Sequence, residues 1–300
     1  MSYSTVSPKT RQDVYQIVTD KVITLLEQGT IPWQKPWRGG AAGMPKNAIT
    51  KKPYRGVNVF MLAVTSHALG YESSYWLSYK QALELGGNVK KGEKSTLVIF
   101  WNWLEKEKTD PETGERHTEE IPFLRYYNVF NADQCENITI PKDDTPKIPD
   151  LEFTPIRACE NIVAHMPNKP QIVHDNVKRA YYRPCDDLVH MPSREKFVSV
   201  EEYYSTLFHE LTHSTGHESR LNRKDNEKLA AFGSADYSKE ELVAEMGAAF
   251  LCGYAEIENK TIDNSAAYIQ GWLKQLKNDK KLIVHAAAQA QKSTDYILGE

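Results

Sequence analysis

The chain has 300 residues and a mass of 34.2 kDa, enough for two ordinary domains. Hydrophobic residues make up 40% and charged residues 26%, a globular balance that excludes collagen-like, mucin-like and wholly disordered chains. The net charge of −3 conceals a division: residues 1–104 hold 13 Lys+Arg against 6 Asp+Glu, and the remainder 24 against 34.

In chain order, the periodicity predicts a helix over 11–28 and a loop over 30–56, punctuated by IPWQKPWRGG and KKPYRG. Helices follow over 57–69 and 79–86. Two strand-like runs, 95–103 and 121–130, flank the charged stretch 105–120, which reads as a hairpin with a long tip. The expected first unit, 1–140, is therefore a small mixed α+β domain with an antiparallel sheet. Pro141, Pro146, Pro149 and Pro155 mark 141–155 as a linker, and 156–300 forms the second unit. Within it, AYYRPCDDLVHMP (180–192) reads as a sheet edge open to strand addition by an extended peptide. A helix then starts at the Ser199/Glu202 capping box, with Gly216 as its stop, and another spans 238–251. The tail from Ser265 gives one or two amphipathic helices, with Trp272, Leu273, Leu276 and Ile283 in the core.

No unbroken apolar run approaches the ~18 residues of a membrane span, so no membrane partner is expected. The opening MSYSTVSPKTRQ lacks the apolar core of a secretory signal. Cys135, Cys159, Cys185 and Cys252 form no CxxC, which points away from a disulfide framework and toward the cytoplasm. Nothing in the sequence speaks to oligomeric state.

In the basic first unit, aromatic residues alternate with cations. Trp33, Lys35, Trp37 and Arg38 fall within six residues; Lys51, Lys52, Tyr54, Arg55 and Asn58 follow; then come Trp76, Tyr79 and Lys80, and Lys90, Lys91 and Lys94. Cations neutralise phosphates, and flat rings stack on bases exposed only in unpaired strands. The pattern therefore predicts a single-stranded-DNA grip. Trp101 and Trp103 share strand parity with Ile99, which leaves core and stacking platform both open for them.

The second unit contains His209-Glu210-Leu211-Thr212-His213, an HExxH. One helical turn apart, the two imidazoles can reach a single Zn²⁺, while Glu210 stands where it can take a proton from water and return it to a leaving amine. Position 219 is Ser, so the HExxHxxGxxH pattern is broken, and His217 reads as a bystander. A carboxylate from 238–251 is the better third ligand. Glu241 and Glu245 share a face: Glu241 is the expected ligand, with Glu245 orienting a histidine or serving as an alternate ligand. Glu241 could otherwise simply close a capping box with Ser238. A His₂Glu set also accepts Mn²⁺ and other divalent ions. Tyr181, Tyr182 and Tyr237 are candidate oxyanion donors.

PWQKPW, KKPYRGVNVF and YWLSYKQALELGGNVKKGEK resemble the N-terminal single-stranded-DNA-binding domain of ArdC-type antirestriction proteins, which some plasmid primases share. YYRPCDDLVHMP, FHELTHSTGHESRLNR and EELVAEMGAAFL are similar to the zincin-like metallopeptidase domain that follows it in that family. The resemblance implies protection of single-stranded DNA entering by conjugation, with proteolysis of a host or DNA-bound protein as a possible addition. The second domain also resembles IrrE-like proteases, whose third ligand is a glutamate shortly before an Ala-Ala pair; that carries over to Glu241, with Ala248 and Ala249 as the pair. Spartan-like proteases use a third histidine, which this chain lacks at a matching position.

Overall fold

The computed structural model describes residues 13–33, 44–109, 116–140, 155–175, 177–223, 235–257, 259 and 266–300. Helix α1 (Val14–Glu27) starts at Asp13, whose carboxylate accepts from the Tyr15 N–H at 3.0 Å. Its Val18, Val22 and Leu26 recur every fourth residue and bury one stripe. Helix α2 (Val57–Leu69) falls on the predicted bounds, and α3 (Tyr79–Glu84) starts at the reciprocal cap of Ser78 and Gln81.

Strands β1 (Lys46–Asn47), β2 (Tyr75–Leu77), β4 (Thr96–Thr109) and β5 (Arg116–Asn131) form a sheet ordered β1-β2-β5-β4, parallel only at β1-β2. The ladder of β4 and β5 runs out to Thr109↔Arg116, so most of the expected charged tip is strand. Backbone pairing there needs no apolar face. β4 is an edge strand, and the Asn58 side chain caps it: its amide donates to the Ile99 carbonyl at 2.7 Å and its oxygen accepts from the Ile99 N–H at 2.8 Å. Short strands β3 (Asn88–Val89) and β6 (Cys135–Glu136) pair antiparallel.

The expected linker lies outside the described residues except for Pro155, which opens α4 (Pro155–His165). Strands β7 (Gln171–Asp175), β8 (Tyr181–Arg183) and β9 (Leu188–Pro192) form a second sheet in the order β7-β9-β8. Thus 180–192 is a hairpin with β8 as its open edge and β9 in the centre. Helix α5 (Val200–Ser214) starts at Ser199, whose hydroxyl accepts from Glu202, and stops two residues before Gly216. Helices α6 (Ala235–Tyr254), α7 (Ala266–Asn278) and α8 (Leu282–Leu298) complete the chain, with Trp272, Leu273, Leu276 and Ile283 buried as expected. Because α6 starts three residues before Ser238, no capping box forms with Glu241.

Apolar packing crosses the proline-rich seam. One core cluster joins α1, α2, Trp33 and Ile99 to α6, α7 and α8; Phe60 of α2 stacks on Phe250 of α6 with centroids 4.7 Å apart. A second cluster joins β9 to α5 and α6. The helix carrying Glu241 is therefore braced from both halves, and the helix carrying the histidines packs against it within the second.

Gly247 lets α6 approach α5. A Cβ there would stand 2.5 Å from Thr212 Cγ2 and 2.7 Å from its Oγ1. Thr212 cannot turn away cheaply, since its hydroxyl donates to the Phe208 carbonyl at 2.7 Å inside the buried crossing. Gly247→Ala is expected to destabilise the fold by about 1–3 kcal/mol through overpacking. Urea unfolding will check it, and divalent-metal affinity should fall in parallel because Glu241 moves with the helix.

Candidate metal centre

The two imidazoles of α5 project one turn apart, as the HExxH spacing requires, and Glu241 of α6 faces them. His209 Nε2 and His213 Nε2 are 3.1 Å apart. One Glu241 oxygen lies 3.5 Å from His209 Nε2, and the other 3.5 Å from His213 Nε2. Ligand atoms of these three residues all fall within 4.8 Å of one another. Bonds of ~2.0–2.1 Å in a tetrahedron separate ligand atoms by about 3.3 Å, so the donor set fits one divalent cation.

Electrostatics say the same. Burial alone would pull the His213 imidazolium down, but the carboxylates of Glu240, Glu241 and Glu210 outweigh it and push its pKa up to about 9. A site that draws in a proton so strongly is one that lacks positive charge. Glu210 is buried beside the pair, where HExxH chemistry needs its carboxylate.

Two features escaped the sequence reading. Glu240 lies 3.6 Å from His213 Nδ1, on the side away from the ligand atoms. Burial would raise its pKa, yet the nearby His213 ring and the hydrogen-bonded Arg223 guanidinium hold it below the usual carboxylate value. Arg223 is itself fixed by Thr215 Oγ1 at 2.6 Å and the Thr212 carbonyl at 3.0 Å. Glu240 is thus the carboxylate that stands behind a histidine, the place expected for Glu245. The Glu245 carboxylate instead accepts from Trp33 Nε1 at 2.9 Å and from the Tyr268 hydroxyl. Burial pushes its pKa up to about 7, against the pull of these donors and of nearby His209.

That bond also corrects the expected role of Trp33. Its indole is 1% exposed and sits edge-on to Trp272 at 6.1 Å, so no base can reach it. Trp76 and Tyr54 are likewise buried, packed with Leu62, Val98 and Val129 beneath the sheet. Asn58 is spent on Ile99. The three rings went to apolar packing, and the Asn58 amide to the open edge of β4. Lys35, Trp37 and Arg38 lie outside the described residues. Arg55, Lys52, Lys80, Lys90, Lys91 and Lys94 are at the surface, and Lys51 lies 4.3 Å over the Tyr75 ring. Among the described residues of this half the exposed rings are Tyr79, beside Lys80, and Phe100, Trp101, Tyr126 and Tyr127 on the hairpin, near exposed Arg125.

Of the remaining candidates, His217 bonds Ser219 at 2.8 Å and is not in the cluster. Tyr182 donates to Asp187 at 2.8 Å, and Tyr181 stacks on His190 at 4.6 Å. The Tyr237 side chain lies outside the described residues.

Residues 12–130 match the family described as the N-terminal domain of anti-restriction factor ArdC, and residues 158–289 match the zincin-like metallopeptidases. The crystal structure of antirestriction ArdC protein from plasmid R388 superposes with a TM-score of 0.74 at 41% identity, over 95% of this chain and 97% of that one. The chain belongs to the ArdC family of antirestriction proteins. The Mn(II)-bound structure of the R388 ArdC protein gives a TM-score of 0.73 at 39% identity, covering 96% and 98% of the two chains. An uncharacterized protein of Sinorhizobium fredii, y4eC, is 34% identical over 97% of this chain and 93% of its own length. A DNA primase TraC of Escherichia coli is 35% identical over 96% of this ArdC-family chain, which spans only 27% of the primase. No helix among the described residues is long and apolar enough to cross a membrane.

Proposed function

We propose that this chain binds single-stranded DNA, shields DNA arriving by conjugation from restriction in the recipient cytoplasm, and carries a zinc-type peptidase centre in its second half. The observation that carries this reading is the near-complete correspondence with an antirestriction ArdC protein, joined to a donor set shaped for a divalent cation in the same chain. Residues 1–140 and 156–300 are the two functional parts, on either side of the seam at 141–155.

His209, His213 and Glu241 are assigned as the ligands and Glu210 as the proton acceptor. Zn²⁺ or Mn²⁺ fits, the latter being the ion of the related R388 structure. The cation supplies Lewis-acid polarisation and acidification of water when bound. The protein's own part is to hold His209 and His213 by α5, to orient His213 through Glu240 and Arg223, and to keep a buried Glu210 carboxylate ready to accept a proton and pass it to a leaving amine. Surface cations on the first part meet phosphates, and exposed rings of the hairpin meet bases.

A second reading, a DNA-activated protease acting on a DNA-bound or host protein, is favoured by the packing of the first part directly against α6. Glu210→Ala separates the two. Protection of conjugated DNA in a restricting host is expected to survive this change, while any peptidase activity falls about 100-fold or more. Loss of protection at unchanged DNA affinity would establish the protease reading. Oligonucleotide titrations should show single strands bound in preference to duplex, with affinity dropping steeply as salt rises. Equal affinity for duplex would overturn the proposal.

A further inference from the structure

Helix α8 is buried nearly all round, yet His285, Ala288, Gln289 and Lys292 share one exposed or half-exposed stripe, at the spacing of a single helix face. That stripe floors a trench. At one end a cavity of about 440 Å³ lies between α8 and the outer edge of β4, lined by Arg55, Phe100 and Trp101. At the other a cavity of about 700 Å³ lies between α8 and α6, lined by Arg223, Lys239 and Lys281. Lys292 belongs to both.

Two properties set the trench apart. Trp101 is 41% exposed and Phe100 37%, large apolar rings at the mouth of a cavity. Trp101 is also braced, edge-on to Tyr15 at 6.5 Å and to His285 at 6.4 Å, so little freedom remains to be lost when something stacks on it. The second property is charge. The second half of the chain is strongly acidic, but here it presents Arg223, Lys239, Lys281 and Lys292. Of the carboxylates lining it among the described residues, Asp295 is paired with Arg55 and Glu240 with Arg223, which leaves Asp279 against Lys281 and Lys292.

We propose that this trench is the track of an unpaired nucleic-acid strand: a base stacks on Trp101, and the phosphates run along Lys292 and Lys281 across α8. The binding surface is then composite, with the peptidase half contributing its floor. The inference rests on the single-stranded-DNA reading above. A duplex cannot use the track, because its base faces are buried in the stack.

The test uses the full chain and a fluorescent oligo(dT), read by anisotropy, with Trp101→Ala and Lys292→Glu as variants. Wild type should bind, and Trp101→Ala should weaken binding between about 5- and 100-fold. The Lys292→Glu change should also lower the dependence of affinity on salt. Because Trp101 touches Tyr15 and His285, photocrosslinking of wild type to iododeoxyuridine-substituted oligonucleotide gives a readout that no folding defect can mimic; the adducts should map to Trp101 or to the 281–292 peptide. If wild type binds while both variants match it and adducts map elsewhere, the trench is overturned and the single-strand reading stands. If wild type binds no oligonucleotide, both fall. If Trp101→Ala loses a labelled unstructured peptide but no oligonucleotide, the groove takes polypeptide and the proposal is wrong.

Discussion

Truncation of Trp33 to alanine is expected to lower the stability of the chain by about 3–5 kcal/mol, seen as a reduced urea midpoint with little change in slope. Trp33 belongs to the first half of the sequence, but among the described residues its ring and hydrogen-bond partners are in the second: Trp272 in a T-shaped contact, Tyr268 within 3.3 Å of Nε1, and Glu245 at 2.9 Å. Alanine removes the packing and one of the two donors to a buried carboxylate. Phenylalanine removes mainly the donor, so Trp33→Phe should cost less, about 1–3 kcal/mol. A comparison with Glu245→Gln separates the contributions: if Trp33→Phe acts through the carboxylate, its effect should shrink when Glu245 is already neutral. A Trp33→Ala protein as stable as wild type, yet defective in DNA binding, would restore the base-stacking role and refute the buried one.

Trp33 also shows where local reading of the sequence stops. PWQKPW has prolines and lysines around its tryptophans, and that composition describes an exposed loop. What buries Trp33 is Tyr268 and Trp272, more than 230 positions away, and no local pattern announces such a meeting. Trp76 was open to a better reading, since the alternation in YWL puts it on the face opposite its neighbours. Most helices were legible from their apolar residues and caps, and α2 was found to the residue, but α4 (Pro155–His165), just past the prolines, was missed. HExxH was legible because two histidines at i and i+4 on a helix have one geometric consequence. Glu240 was hidden beside Glu241: adjacent helical residues point about 100° apart, and the partner that gives Glu240 its role, Arg223, arrives from a different segment. Gly247 left a signal that could have been used, because a glycine within a long helical pattern has a packing reason more often than not. The exposed rings of Phe100 and Trp101 could not be foreseen, as exposure depends on where the strand runs past the body of the sheet.

Glu241→Ala should weaken divalent-metal binding more than about 100-fold, whereas Glu240→Gln, which leaves all three donor atoms in place, should cost between about 10- and 100-fold. The order follows from geometry: Glu241 offers an oxygen to each imidazole at 3.5 Å, and Glu240 touches only the far nitrogen of His213. Proton linkage supplies a second check. His213 must be neutral to donate Nε2 to a cation, but in the metal-free protein its pKa stands near 9. At pH 7 the proton has to leave, so log K for Mn²⁺ or Zn²⁺ should rise by about one per pH unit from neutrality and level off above about pH 9. The sign for the metal-free fold is opposite: a pKa raised from 6.5 contributes stability at low pH, and that contribution is lost as pH climbs through about 9. Removing the Glu240 charge lets the His213 pKa fall, so in Glu240→Gln the plateau should move to lower pH even as the intrinsic affinity drops. Calorimetric titration with metal in two buffers of different ionisation enthalpy reads the protons released directly. Binding that is flat between pH 7 and 9 would mean that His213 holds no proton to release at neutrality, and would refute its raised pKa.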